Sequence, residues 1–342
     1  MVVILGLEGT AWNLSAALVT EDRVIYEAES AYKPIYGGIH PREAAQHHAS
    51  ELKRVVSELI EGAKAKEKGF SISDIDGVAF SQGPGMGPCL RTVATAARAL
   101  ALTLKKPLIG VNHCIAHIEI GRWQCGVRDP VVLYVSGANS QVLAYHAGRY
   151  RILGETLDIG IGNALDKFAR YMGLSHPGGP KIEELASRAR GVRGVEYEYI
   201  HLPYVVKGMD FSFSGLTTAA KDALDAGHKR EAVCYSFQET AFAMLTEVTE
   251  RAMAYCGKEE LLLAGGVGAN RRLQQMLRTM CQDRSARFFV PETRYLRDNG
   301  TMIAYLGLLQ FESGQTIELQ ESAVKPNFRP DEVEVRWRNW VK

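Results

Sequence analysis

The chain predicts an α/β protein of two similar lobes around a cleft, and three observations carry that expectation. Its 342 residues, 46% hydrophobic and 23% charged, suit two packed domains of a globular protein. Each half opens on a meander of three short apolar runs separated by turns. Each half then alternates strands and helices, with a glycine-rich turn after the fourth strand, so that one βββαβαβα order occurs twice.

In the first half the strands fall over residues 2–8, 14–20 and 23–31, with a turn at Glu21-Asp22. An apolar run over 76–81 then leads into Gly83-Pro84-Gly85-Met86-Gly87, a long helix from Leu90, and a short strand over 107–111 that delivers His113. The second half repeats this with strands over 131–136, 141–146 and 150–156, the turn at Ala147-Gly148. A run over 260–264 leads into Gly265-Gly266-Val267-Gly268-Ala269-Asn270, a helix from Arg271 and a strand over 287–290, with Asp298 following. Gly9 and Gly137 match after the first strands, and Arg23 and Arg151 match at the start of the third. This is the layout of the two-lobed actin, Hsp70 and sugar-kinase superfold. The expected divisions are a first lobe over 1–128, a second over 129–317 and a C-terminal tail over 318–342.

His113 and His117 lie one helical turn apart, where side chains are neighbours. By itself such a pair more often marks a satisfied, half-buried helix face than two ligands. Asp298 changes the reading, because it holds the matching place in the second repeat, and ligands bind between such lobes at the carboxyl ends of strands. A His-His-Asp set leaves coordination positions free for substrate.

The turn from Gly265 to Asn270 sits between a buried strand and a helix, where bare backbone N–H groups accept a phosphate. A tight structural turn is the alternative, since neither a P-loop nor a dinucleotide fingerprint is spelled out. A second glycine loop, His176-Pro177-Gly178-Gly179-Pro180, precedes a helix carrying Glu183 and Glu184, placing a carboxylate within reach of ribose hydroxyls. Asp166 sits among helix formers, and an ordinary ion pair with Arg170 is its alternative.

Composition excludes other classes. A net charge of +1 gives no field for indiscriminate nucleic-acid binding, so any RNA contact is local. The basic groups available are Lys105-Lys106, Arg188 with Arg190 and Arg193, Arg271-Arg272, and Arg336 with Arg338. Six scattered cysteines without a CxxC pair argue against a zinc ribbon or a disulfide framework. No basic leader and no long uncharged apolar stretch are present, so the expected location is cytoplasmic, away from membranes.

Along nearly its whole length the chain resembles the archaeal and eukaryotic tRNA N6-adenosine threonylcarbamoyltransferases, formerly called sialoglycoprotein endopeptidases. The similarity runs through Gly6-Leu7-Glu8-Gly9-Thr10-Ala11, Gly38-Ile39-His40-Pro41-Arg42-Glu43-Ala44-Ala45, Phe80-Ser81-Gln82-Gly83-Pro84-Gly85 and Gly110-Val111-Asn112-His113 through His117. It continues through Tyr134-Val135-Ser136-Gly137, His176 to Pro180, Phe213-Ser214-Gly215-Leu216, Gly265 to Asn270 and Asp298-Asn299-Gly300. The resemblance implies transfer of a threonylcarbamoyl group from threonylcarbamoyl-adenylate to the N6 amine of the adenosine beside the anticodon of ANN-decoding tRNAs, with AMP leaving. It implies one transition-metal ion, iron favoured over zinc, on His113, His117 and Asp298, with Tyr134 adding its phenolate. It further implies an adenine nucleotide held by Tyr134, Val135, Ser136, Gly137, Ala138, Asp166, Gly179, Glu183 and Asn270, to which the glycine-turn argument adds Gly265 and Gly266. The implied partners are tRNA and, in the KEOPS complex, a small atypical protein kinase and accessory subunits; that kinase is fused after the tail in some archaea. Two departures stand out: Ala138 and Ser140 replace the usual Gly and Thr, and Trp12 replaces a polar residue near the first turn. His40, His47 and His48 are expected in surface or structural roles.

Three rival functions share parts of this pattern. A small-molecule kinase of the same superfold would use ATP and place Mg²⁺ through carboxylates, without need of a histidine pair. A metalloprotease would want a glutamate beside the first histidine, where residue 114 is Cys. A nucleotide-binding module without catalysis leaves His113, His117 and Asp298 idle.

Overall fold

The computed structural model describes residues 1–34, 37–190 and 199–339, so Arg193 and the last residues of the tail, 340–342, lie outside the described residues. The first repeat comprises β1 (Ile4–Glu8), β2 (Asn13–Val19), β3 (Val24–Ala31), α1 (Pro41–Lys66), β4 (Gly77–Gly83), α2 (Gly87–Leu104), β5 (Leu108–Asn112) and α3 (His113–Cys125). The second begins with β6 (Val131–Val135), β7 (Ser140–His146), β8 (Arg149–Glu155), α4 (Ile161–Tyr171) and α5 (Gly179–Arg190). A small hairpin of β9 (Val206–Lys207) and β10 (Asp210–Phe211) follows, then α6 (Ser214–Asp225) and α7 (Arg230–Cys256). It closes with β11 (Glu260–Ala264), α8 (Arg271–Asp283), β12 (Arg287–Phe289), α9 (Thr293–Leu296) and α10 (Gly300–Glu312).

The duplication seen in the sequence is a duplication of topology. One sheet has the order β3-β2-β1-β4-β5 and the other the order β12-β11-β6-β7-β8. Read from its other edge, the second becomes β8-β7-β6-β11-β12, the same path. Both meanders are antiparallel, and β1–β4, β4–β5, β6–β11 and β11–β12 pair in parallel. Every residue of β1, β2, β4 and β6 is buried, because helices cover both faces, and the strands are apolar apart from Glu8, Asn13, Ser15, Ser81 and Gln82.

The closing helices of the two repeats carry the join. Ile115 and Ile118 of α3 and Met302, Ile303 and Leu306 of α10 share one apolar cluster with Ile4 and Ala79 of the first sheet and Val132 and Leu262 of the second. Helix α10, from the second repeat, lies on the first sheet, and bare glycines set how closely. A Cβ at Gly6 would sit 2.3 Å from the Ala304 backbone nitrogen, and one at Gly300 would sit 2.7 Å from the Ala16 carbonyl carbon. Helix α3 approaches β11 in the same way, with Gly121 over Leu262. We therefore propose 1–128 and 129–317 as units of duplication joined through a common core, with 318–342 as a tail whose described residues, 318–339, lie over both.

Gly6→Ala should accordingly destabilise the protein by about 1–3 kcal/mol, since the backbone of α10 must move off β1 to admit the methyl group. Urea unfolding should show a lower midpoint at an unchanged slope. An unchanged midpoint would contradict this packing.

Candidate active site

The site is assembled where β1, β5 and β6 end. Asn112 closes β5 and begins α3, its Oδ1 accepting a hydrogen bond from the Ile115 N–H at 3.1 Å. That cap starts the helix at His113, so His113 and His117 fall on one face with ring centroids 4.8 Å apart and planes at 85°. Asp298 precedes α10, whose first turn is capped by Asn299 accepting from the Met302 N–H at 2.8 Å. The Asn13 amide of β2 donates to the Asp298 carbonyl at 2.9 Å and ties this loop to the first sheet. Asp298 Oδ1 thereby lies 3.2 Å from His117 Nε2 and 3.4 Å from His113 Nε2. One ligand atom from each of the three residues falls within 4.8 Å of the others.

Glu8, buried at the end of β1, orients the first histidine. Its Oε2 is 3.1 Å from His113 Nδ1, while its Oε1 accepts from the backbone and hydroxyl of Thr10, both at 2.7 Å. With Nδ1 held by a carboxylate, His113 turns Nε2 toward Asp298, which is how protein carboxylates fix metal-binding imidazoles. Tyr134 on β6 is fully buried, with its ring centroid 5.5 Å from that of His117. Its hydroxyl meets no hydrogen-bond partner, Cys114 and Ser136 being its polar neighbours. A buried polar group left in this way calls for an explanation, and a cation held by two imidazoles, a carboxylate and a phenol supplies one. The donor set fits a transition metal.

Protonation follows from the same contacts. Burial works against a charged His113, yet Glu8 and Asp298 outweigh it and raise its pKa well above the usual histidine value. Burial lowers that of His117 against the pull of Asp298. For Asp298, burial pushes upward but His113 and His117 hold the carboxyl well below the ordinary range. Burial raises Tyr134 well above the usual tyrosine value. Ligands must be deprotonated to bind, so an entering ion displaces the His113 proton.

The expected nucleotide wall lies in the second repeat. Gly265 takes a φ of +88°, and a Cβ there would meet the Val135 carbonyl oxygen at 2.4 Å, so this position needs glycine for the turn itself. Gly266 is different: a Cβ there meets no atom within 4 Å. Asn270 caps α8, its Oδ1 accepting from the Arg272 and Leu273 N–H groups at 2.9 and 3.2 Å, and its amide donates to Gln238 at 2.9 Å. Glu183 Oε1 reaches across to accept from the Arg271 N–H at 2.8 Å, so α5 and the glycine turn face each other. Asp166 pairs not with Arg170 but with the second glycine loop. Its Oδ1 accepts from the Gly178 N–H at 2.6 Å, and its Oδ2 lies 3.1 Å from His176 Nδ1. Gly179 follows in that loop, a Cβ there touching only Leu165 at 3.7 Å.

The remaining candidates sit after β6. Val135 turns its side chain into the core and offers a ligand only its backbone. Ser136 closes a turn with Asn139, its N–H donating to the Asn139 carbonyl at 2.8 Å. Gly137 and Ala138 are exposed on that turn, which packs so closely on the start of α4 that a Cβ at Gly160 would meet the Ala138 carbonyl carbon at 2.5 Å.

A family model for tRNA N6-adenosine threonylcarbamoyltransferase, TsaD, matches residues 23–305. The chain belongs to this family. The threonylcarbamoyltransferase of Methanococcoides burtonii is 64% identical over 337 residues, covering 98% of both chains. A probable bifunctional tRNA threonylcarbamoyladenosine biosynthesis protein of Methanosarcina barkeri is 65% identical over 334 residues. There the chain spans 59% of the relative's length and 98% of its own. Among solved structures, T. kodakarensis HypF superposes with a TM-score of 0.65 at 15% identity, over 91% of this chain and 47% of that one. Component A of the Acidaminococcus fermentans (R)-2-hydroxyglutaryl-CoA dehydratase gives 0.52 at 11% identity, over 90% and 98%. These likenesses establish the actin, Hsp70 and sugar-kinase fold and nothing about chemistry.

Within this threonylcarbamoyltransferase chain, sequence reasoning overlooked Glu8, Thr10 and Asn13 as parts of the site. The signal was present for Glu8, a lone carboxylate at the end of an otherwise apolar strand. Asn13 carried none, because its amide acts on a backbone carbonyl 285 positions away. Trp12 is half-buried on the first turn, its carbonyl accepting from the Tyr32 N–H at 2.8 Å. His40 precedes α1, His47 is 3.1 Å from the Ser30 hydroxyl, and His48 is buried with neither ring nitrogen hydrogen-bonded. Among the described residues, no helix is long and apolar enough to cross a membrane.

Proposed function

We propose that this protein transfers the threonylcarbamoyl group from threonylcarbamoyl-adenylate to N6 of the adenosine beside the anticodon of ANN-decoding tRNAs, releasing AMP. The observation that carries the reading is the buried His113, His117 and Asp298 cluster with the unpartnered Tyr134 hydroxyl beside it, in a chain of this family. In the reaction the N6 nitrogen bonds to the carbamoyl carbon, the bond from that carbon to the AMP phosphate oxygen breaks, and N6 loses a proton. His113, His117, Asp298 and Tyr134 would hold one iron or zinc ion, which supplies positive charge for donor oxygens and for the charge that grows on the carbamoyl oxygen. Glu8 keeps His113 in the tautomer that presents Nε2. Asn13 and Asn299 hold the Asp298 loop. The 136–138 turn, Gly179, Glu183 and the Gly265 to Asn270 turn form the adenylate wall, where N–H groups at a helix start steady the phosphate. Asp166 supports that wall by pinning the Gly178 loop. The partners in this reading are tRNA and the kinase and accessory subunits of the KEOPS complex, and the location is cytoplasmic.

The kinase reading shares the fold but moves a γ-phosphate and releases ADP. Nucleotide analysis separates them: threonylcarbamoyl-adenylate with tRNA should yield AMP with no ATP consumed by this subunit. ADP together with a phosphorylated small molecule would favour the kinase.

Gly266→Val tests the nucleotide wall. The added side chain enters open space, so folding and metal content should be unchanged while AMP affinity falls about tenfold or more, about 1.4 kcal/mol. Equal AMP affinity by calorimetry would move the nucleotide elsewhere.

A further inference from the structure

We infer that Asn112 is a positioning residue that ties the metal-binding helix α3 to the C-terminal tail, so that the tail sets where His113 stands. The inference rests on the reading of His113, His117 and Asp298 as metal ligands. After α10 the chain does not leave the molecule. The Ile317 N–H donates to the Leu108 carbonyl at 2.9 Å, beside β5. Arg98 of α2 then holds Ser322 through its hydroxyl and its carbonyl, both at 2.6 Å.

From there the tail lies along the carboxyl ends of β4 and β5. The Gln82 amide donates to the carbonyls of Glu321 and Ala323, both at 2.9 Å, and the Lys325 N–H returns a bond to the Gln82 carbonyl at 2.8 Å. The Gly85 N–H donates to the Pro326 carbonyl at 3.1 Å, and the approach is so close that a Cβ at Gly83 would sit 1.9 Å from the Lys325 oxygen. The last contact is with the helix itself: Asn112 Nδ2 donates to the Phe328 carbonyl at 3.1 Å. The tail then crosses to the second sheet, where Arg329 pairs with Glu155 at 3.0 Å and the Val335 N–H donates to the Gly148 carbonyl at 2.8 Å.

Asn112 therefore spends its two polar atoms on different tasks. Oδ1 caps α3, and Nδ2 holds the tail. The neighbouring residue is His113, whose ring is fixed at Nδ1 by Glu8 and whose Nε2 must meet the ion. A shift of the α3 start relative to β1 changes the distance between those two fixed points. A movement of the tail therefore acts on the metal site through this amide, alongside the packing of Val333, Val335 and Trp337 in the cluster that holds Ile115 and Ile118 of α3.

Asn112→Asp separates the tasks. The carboxylate still caps α3, and a negative charge at a helix N-terminus stabilises it; the second oxygen now faces the Phe328 carbonyl and repels it. If Asn112 only caps the helix, Asn112→Asp leaves α3 as firm as before and binds cations at least as well, while Asn112→Ala alone is harmful. If it positions, both variants loosen α3. The expected result is about tenfold faster hydrogen exchange of the amides of residues 117–120 in both variants, and zinc affinity about tenfold lower in both by chelator competition. Wild-type exchange and wild-type zinc affinity in Asn112→Asp would overturn the inference. Failure of the metal reading has a different signature, wild-type protein that takes up no zinc, and the exchange measurement then still decides whether the tail holds α3.

Discussion

Asp298→Ala protein should retain its fold and lose its metal. Among the described residues, Asp298 is the carboxylate within reach of both imidazole Nε2 atoms, at 3.2 and 3.4 Å, and it comes from the opposite repeat. Without it His113 and His117 stand on one helix with no carboxylate to close the set. The loss should exceed the 10–100-fold that follows from removing a residue which only orients a ligand. Elemental analysis of the purified variant should therefore find almost no iron or zinc, and tRNA modification should fall with it. The loop itself is held by Asn299 and by the Asp298 backbone carbonyl, neither of which the substitution touches. Full metal occupancy in Asp298→Ala would show that Asp298 is not a ligand of the ion.

Glu8→Ala should weaken metal binding about 10–100-fold although Glu8 lies behind the cluster. Its Oε2 is the partner of His113 Nδ1, and removing it leaves a buried donor unpaired at a cost of about 1–3 kcal/mol and frees the ring to rotate. Glu8→Gln can keep its one acceptor oxygen on His113 Nδ1 only by turning its NH2 toward the Thr10 N–H, and should recover part of the affinity. That recovery distinguishes orientation from charge. If Glu8→Gln binds as poorly as Glu8→Ala, the carboxylate's charge is what matters; if Glu8→Ala binds like the wild type, Glu8 has no part in the site.

Much of this architecture was legible because it is written twice. The two meanders and two glycine turns gave strand positions within a few residues, and β11 and the start of α8 agree with the expectation. Local periodicity and turn chemistry suffice for such elements. The exchange of α3 and α10 between the sheets was not legible, since α10 is apolar nearly all round, α3 mixes polar and apolar residues without one clear face, and the close approaches are made by Gly6 and Gly121 to residues far away in the chain. In the site, the histidine pair could be read because four residues make one helical turn, and Asp298 could be paired with it through the repeat. Asp166 shows the limit. Helical spacing offered Arg170, whereas the fold presents His176 and the Gly178 N–H from a loop whose path no spacing rule encodes. Glu183 likewise meets the start of α8 across a hairpin, two helices and strand β11, which separate them in the chain.

The most direct test of the proposed reaction is mass spectrometry of nucleosides from tRNA incubated with this protein, its partner subunits and threonylcarbamoyl-adenylate. The expected product is threonylcarbamoyladenosine, formed in step with AMP and absent when Asp298→Ala protein is used. Unmodified adenosine beside the anticodon with the wild-type protein, under conditions in which its metal and donor are bound, would contradict the account.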